Sequence, residues 1–126
     1  MSSLAGDLSQ DMRESLIRTC RTVLGDELRS VTYFTDDEVD QLYLRGDLEQ
    51  TADLVGFAEQ ERTGFYAHQA YRNTQLGEYQ ATIRMFANGY LVRVINERAG
   101  VWVTTDSMSM DRFEELSAAL SRLLSE

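Results

Sequence analysis

Apolar residues recur at steps of three and four from Leu8 through Met12, Leu16, Ile17, Cys20, Val23 and Leu24, and the run stops at Gly25. This spacing predicts a helix with one buried stripe, and Asp7 followed by Gln10 reads as its capping box. The stretch 28–34 is short and rich in β-branched and aromatic residues, 35–38 is polar, and 39–45 brings back Val39, Leu42, Tyr43 and Leu44. Two readings stand here. Val31 and Tyr33 before the turn and Val39 and Tyr43 after it suit a β-hairpin, whereas Thr35 and Glu38 suit the cap of a short helix over 36–45. The helix would be barely two turns long, so the hairpin is the preferred reading.

Asp47 and Gln50 repeat the capping signal, and Leu48, Ala52, Val55, Phe57 and Ala58 fill a helical face that fades near 62–64. The stretch 65–76 has no clear period and is read as an irregular connection carrying Phe65, Tyr66, His68 and Tyr71. From Glu78 onward the alternation is strict: Tyr79, Ala81, Ile83 and Met85 against Gln80, Thr82, Arg84 and Phe86. Asn88-Gly89 then supplies two positive-φ positions for a tight hairpin turn. Strands over 90–95 and 101–105 continue the meander. Asp111 with Glu114 caps a last helix with the stripe Phe113, Leu116, Leu120 and Leu123.

The order is therefore α-β-β-α-β-β-β-α: an α+β fold with a five-stranded antiparallel sheet flanked by three helices. Centring the hairpin on Asn88-Gly89 pairs Ala87 with Tyr90, Met85 with Val92 and Ile83 with Val94 on one face, and Phe86 with Leu91 and Thr82 with Ile95 on the other. Both faces are apolar, so the sheet needs helices on both sides. Residues 1–6 read as a frayed start and 7–126 as one domain, the size of chain that supports one core. Neither a signal-peptide pattern nor an apolar run of the ~18 residues that suggests a membrane span is present, which points to the cytoplasm.

Composition adds the setting. The 21 acidic residues outnumber the 12 basic ones, for a net charge of −9; every basic residue is Arg, and Lys and Pro are absent. Such a field repels nucleic acid and anionic membranes, so neither is an expected partner. Molar salt shortens the screening length to ~3 Å and removes most of the self-repulsion. We read a halophilic archaeal protein; a GC-rich genome that prefers Arg codons is the alternative source of the missing Lys.

The element order resembles the roadblock/LC7 layout, shared more loosely with profilin, longin and GAF-type domains. The runs Ser30-Val31-Thr32-Tyr33, Tyr43-Leu44-Arg45-Gly46-Asp47-Leu48 and Thr82-Ile83-Arg84-Met85-Phe86-Ala87-Asn88-Gly89 are also similar to short acidic haloarchaeal domains of an uncharacterised family. The roadblock resemblance implies a homodimer that pairs sheets edge to edge and serves as a platform for small GTPases or other regulators, without enzymatic activity.

Candidate chemistry is sparse. Cys20 lies on the apolar stripe of the first helix and reads as core, and His68 has no partner at metal-ligand spacing, so no metal or cofactor is expected. The acidic cluster Asp36, Asp37, Glu38 and Asp40 lacks the Gly and ligand spacing of a calcium loop and reads as a solvated turn. Gly-rich phosphate loops, a nucleophile elbow and a zinc-protease helix are missing. One conflict stands out. The assumed register sets Arg84 opposite Arg93 on one face, a destabilising pair unless something relieves it. Trp102 falls beside Arg93 or one step along and offers a cation–π face. Carboxylates of a covering helix, such as Glu114, Glu115 or Glu49, offer the structural solution; Arg84, Arg93 and Trp102 as an anion or acidic-partner site offer the functional one. Tyr66, Tyr71, Tyr79 and Tyr90 mark a candidate interface. The leading expectation is a non-enzymatic regulatory or scaffolding homodimer, and the alternative is a small-molecule or anion sensor with a pocket between the sheet and 65–76.

Overall fold

A computed structural model describes residues 8–54 and 56–126, with the backbone alone at His68. The frayed start at 1–6, the Asp7 cap, Val55 on the second helical face and the His68 side chain lie outside this description. Among the described residues, α1 (Gln10–Leu24) is followed by β1 (Leu28–Phe34) and β2 (Val39–Leu44). Next come α2 (Phe57–Arg62), α3 (Gly64–Ala67), β3 (Thr82–Phe86), β4 (Gly89–Ile95), β5 (Gly100–Thr105) and α4 (Met110–Leu124). The strands form one antiparallel sheet in the order β2-β1-β5-β4-β3, which leaves β2 and β3 at its edges. The expected element order holds, with the middle helix broken into α2 and α3, and within 36–45 the chain forms the return strand of a hairpin, β2, and no helix.

Helix ends depart from the capping signals. α1 starts at Gln10, where the Ser9 hydroxyl accepts from the Met12 backbone N–H at 3.0 Å. α4 starts at Met110, where Ser109 accepts from the Arg112 N–H at 3.2 Å, so Asp111 sits inside the first turn. Each serine takes the extended backbone a cap requires, while Asp11 and Asp111 favour the positive end of the helix dipole from within. The helix signalled by Asp47 begins instead at Phe57. The Asp47 carboxylate is drawn to Arg45 at 2.6 Å, and Asp53 adopts a left-handed φ of 59°, so 47–54 runs as turns. Of the stretch 65–76, expected to be irregular, residues 65–71 are helical turns: the rest of α3 and a 3₁₀ turn over His68–Tyr71.

α1 and α4 cover one sheet face, burying Leu16, Cys20, Val23, Leu24, Leu116 and Leu120 against Val31, Val92, Val94, Val101 and Val103. Each such side chain stabilises by roughly 1.5–3 kcal/mol when fully buried. Burial pushes the Cys20 thiol up to about 12, which leaves it protonated and unreactive at neutral pH. The middle segment covers the other face, where Phe34, Phe65, Leu91, Ile95 and Trp102 form a second cluster with Phe57 and Leu54 against it. Phe34 lies 5.2 Å from Trp102 and 5.5 Å from Phe65, centroid to centroid, in tilted geometries that add ~0.5–1.5 kcal/mol per pair. Among the described residues no helix is long and apolar enough to cross a membrane.

The expected β3–β4 register is corrected by two. Met85 faces Tyr90, Ile83 faces Val92, Arg84 faces Leu91 and Thr82 faces Arg93, so Ala87-Asn88 make the turn and neither Asn88 nor Gly89 has positive φ. Gly89 is instead the first residue of β4, where a Cβ would lie 2.7 Å from the Thr105 carbonyl oxygen of β5. Close backbone approach, rather than turn conformation, requires glycine there. Because the slip is two residues, every side chain keeps its face.

Arginines also tie strand ends together. Arg45 donates to Asp106 at 2.6 Å and to Asp47 at 2.6 Å, and Arg29 reaches Asp106 at 3.4 Å. These guanidiniums hold Asp106 below its ordinary value of 3.8, the hydrogen bond from Arg45 being the largest cause. A depressed carboxylate stabilises the fold above the unfolded value and loses that contribution as pH falls through the folded one. Stability should therefore drop as pH falls below about 4. An Asp106→Asn variant, weaker at pH 7, should show a shallower acid loss; urea midpoints against pH for both proteins check this.

Candidate functional site

The Arg84–Arg93 pair is built from three elements. Arg84 on β3 and Arg93 on β4 share a sheet face diagonally, and α2 lays Glu61 between them. Glu61 is 2% exposed. Its carboxylate accepts from Arg84 Nε at 2.8 Å and Nη2 at 3.4 Å, and from Arg93 Nη1 at 3.1 Å. Arg93 Nη1 also reaches the Glu61 carbonyl at 3.2 Å, while its Nη2 donates to the Tyr79 hydroxyl at 3.0 Å and to Thr82 Oγ1 at 2.9 Å. Tyr79 and Thr82 are hydrogen-bonded to each other through their hydroxyls. Arg93 Nε is buried with no hydrogen-bond partner among the described residues.

A carboxylate from a covering helix thus relieves the pair, and it is Glu61 rather than Glu114, Glu115 or Glu49. One signal for it lay in the spacing Phe57, Glu61, Phe65, which places an acid on an apolar stripe at four-residue steps. Two arginines share one carboxylate, so the cluster carries an excess positive charge in a chain of net −9. That charge reaches solvent through Arg84, whose side chain is 41% exposed, whereas Arg93 is 5% exposed.

Trp102 is the cross-strand neighbour of Arg93 but is wholly buried, its indole N–H donating to the Asp53 carbonyl at 3.1 Å. The four tyrosines divide: Tyr66 and Tyr71 are exposed on the helical turns, Tyr79 is tied to Arg93, and Tyr90 lies on β4 opposite Met85. At 65–76, where the sensor reading placed a pocket, Phe65 packs into the second core. A cleft of about 440 Å³ lies elsewhere, lined by Arg29, Asp53, Phe57, Phe86, Thr104 and residues 87–90 of the turn and the start of β4. Sequence reasoning missed Arg29 and Asp53, which pair at 2.9 Å, because no periodicity links them. No group of three or more His, Cys, Asp or Glu among the described residues is placed to hold a metal ion.

Gly64 packs flat on the Arg93 guanidinium, where a Cβ would lie 2.5 Å from Cζ. The guanidinium is held by Glu61, Tyr79 and Thr82 and has little room to yield. Gly64→Ala should therefore cost about 1–3 kcal/mol, read as a lowered denaturation midpoint.

The surface beside this cluster is the β3 edge. Ile83, Met85 and Phe86 are 40%, 77% and 51% exposed, the first two on one sheet face and Phe86 on the other. At the opposite edge, β2 buries Asp40 against Arg13, carries an irregularity in its pairing with β1, and is crossed by a loop whose Ala52 carbonyl accepts from Gln41. Such features blunt an edge against further pairing.

Comparison with solved structures gives the fold its relatives. The gliding protein MglB from Thermus thermophilus superposes with a TM-score of 0.64 at 15% identity, over 99% of this chain and 98% of that one. An MglB structure with a tetrameric arrangement gives 0.63 at 15% identity over 99% and 97%, and Myxococcus xanthus MglB gives 0.61 at 13% identity over 92% and 96%. At these identities the likeness is one of fold, and the fold is the roadblock/LC7 type that the element order resembles. No curated protein matches the sequence significantly. A family model described as "Domain of unknown function (DUF7522)" matches residues 14–125, and the chain belongs to that family.

Proposed function

We propose that this domain is a non-enzymatic regulatory scaffold that works as a homodimer joined through the β3 edge, in the salty cytoplasm of a halophile. The observation that carries the reading is an edge strand with apolar side chains exposed on both of its faces, beside the positive Arg84. An added strand from a second copy satisfies the open backbone of β3 and brings cover to both faces. The roadblock-type fold supports the same reading, and one MglB structure is itself a tetrameric arrangement. On the roadblock analogy, the dimer offers its surface to a regulatory partner of the small-GTPase class. Two copies bring −9 each, so the association needs screening and strengthens with salt. Light scattering coupled to size exclusion tests this: in multimolar KCl the mass should be twice the 14.4 kDa of the chain. A monomer at every concentration and salt level would overturn the proposal.

A further inference from the structure

The sheet face under the turns at 47–54 is polar. Arg29 and Ser30 come from β1, and Thr104 and Trp102 from β5. Arg29 and Thr104 present donors to the Asp53 carboxylate, Trp102 presents its indole N–H to the Asp53 carbonyl, and Ser30 meets Thr104. Nearly every acceptor there belongs to Asp53. Its carboxylate accepts from Arg29 Nε at 2.9 Å, from Arg29 Nη2 at 3.2 Å and from the Thr104 hydroxyl at 2.5 Å, while its carbonyl accepts from Trp102. Ser30 Oγ lies 2.6 Å from Thr104 Oγ1 and completes the chain of hydroxyls. Thr32, on the same face and paired with Trp102, has a buried hydroxyl with no partner among the described residues.

We propose that Arg29 and Thr104, with Ser30 behind Thr104, form a carboxylate-binding site that the Asp53 side chain fills from within the chain, and that a small organic acid with an apolar body takes that carboxylate's place beside Trp102. Three observations support an exchange rather than a fixed structural pair. Asp53 sits on an irregular segment at a left-handed φ of 59°, a conformation that costs a non-glycine residue free energy and that displacement relieves. The groups it leaves are polar, so a replacing carboxylate satisfies the same donors and conserves the local charge, while Asp53 moves into water. The cleft of about 440 Å³ already opens onto Arg29, Asp53 and Thr104, and Phe57 and Phe86 line it, giving room and apolar contact for the body of the acid.

Chemical rescue tests the site. Asp53→Gly removes the carboxylate and accepts positive φ at no cost, so its melting temperature should fall by roughly 5–10 °C. Phenylacetate, replacing chloride at constant ionic strength, should restore at least half of the loss with a midpoint on the order of millimolar, and acetate should restore less. Emission of Trp102, the chain's one tryptophan, should shift with the same midpoint. Adding Arg29→Met should abolish rescue. Asp53→Asn keeps the side-chain volume and tolerates the backbone conformation, so it serves if the glycine variant does not fold. Equal rescue by chloride, rescue that survives Arg29→Met, or no carboxylate-specific change in Trp102 emission in the variant that folds would overturn the proposal.

Discussion

Glu61→Ala should cost about 3–5 kcal/mol of stability, the range for removing one partner of a buried ion pair, and lower the melting temperature by roughly 10–20 °C. The size of the effect comes from what stays behind. Arg93 is 5% exposed, so its charge would remain in the core with only neutral acceptors, Tyr79, Thr82 and a backbone carbonyl. Arg84, half in solvent, would simply hydrate and contribute little to the loss. The double variant Glu61→Leu with Arg93→Met replaces the buried pair by apolar groups of similar size and should recover most of the stability. Guanidinium denaturation of the three proteins in high salt checks this. A double variant as weak as Glu61→Ala would mean that the cost is one of packing rather than of an orphaned charge.

Ile83→Glu combined with Met85→Glu should raise the dissociation constant of the proposed homodimer by about 100-fold or more, equivalent to ~2.7 kcal/mol. Both side chains leave β3 on one face and are already 40% and 77% exposed, so the isolated domain should lose no more than about 0.5 kcal/mol. In the dimer the new carboxylates would meet their copies across the joined strands, in a pair that already carries −9 on each chain. Inward charges on an edge strand are the means by which natural sheets avoid such pairing. Sedimentation equilibrium reads the assembly and a melt at high dilution reads the fold. An unchanged dimer would place the interface away from β3.

Local signals carried much of the architecture. Period-two alternation from 79 to 86 and the apolar strands after it assigned side chains to faces, and those assignments survive the corrected register because the slip is two residues. Which residue closes the turn depends on β5, since Gly89 is needed where the Thr105 carbonyl comes close, and β5 lies later in the chain. Capping failed at Asp47 for a similar reason. A carboxylate that can cap a helix can also answer an arginine, and Arg45, two residues away, takes it.

Periodicity and charge along the chain were enough to specify the element order, the two apolar sheet faces, the need for helices on both sides, and the oddity of two arginines on one face of an acidic chain. Neighbours along the chain express each of these directly. It took the folded chain to show that Glu61 rather than a residue of α4 meets those arginines, that Trp102 is core, and that Arg29, Thr104 and Asp53 converge. Such meetings join residues tens of positions apart, and helix docking and strand order set their distances. No local propensity records them.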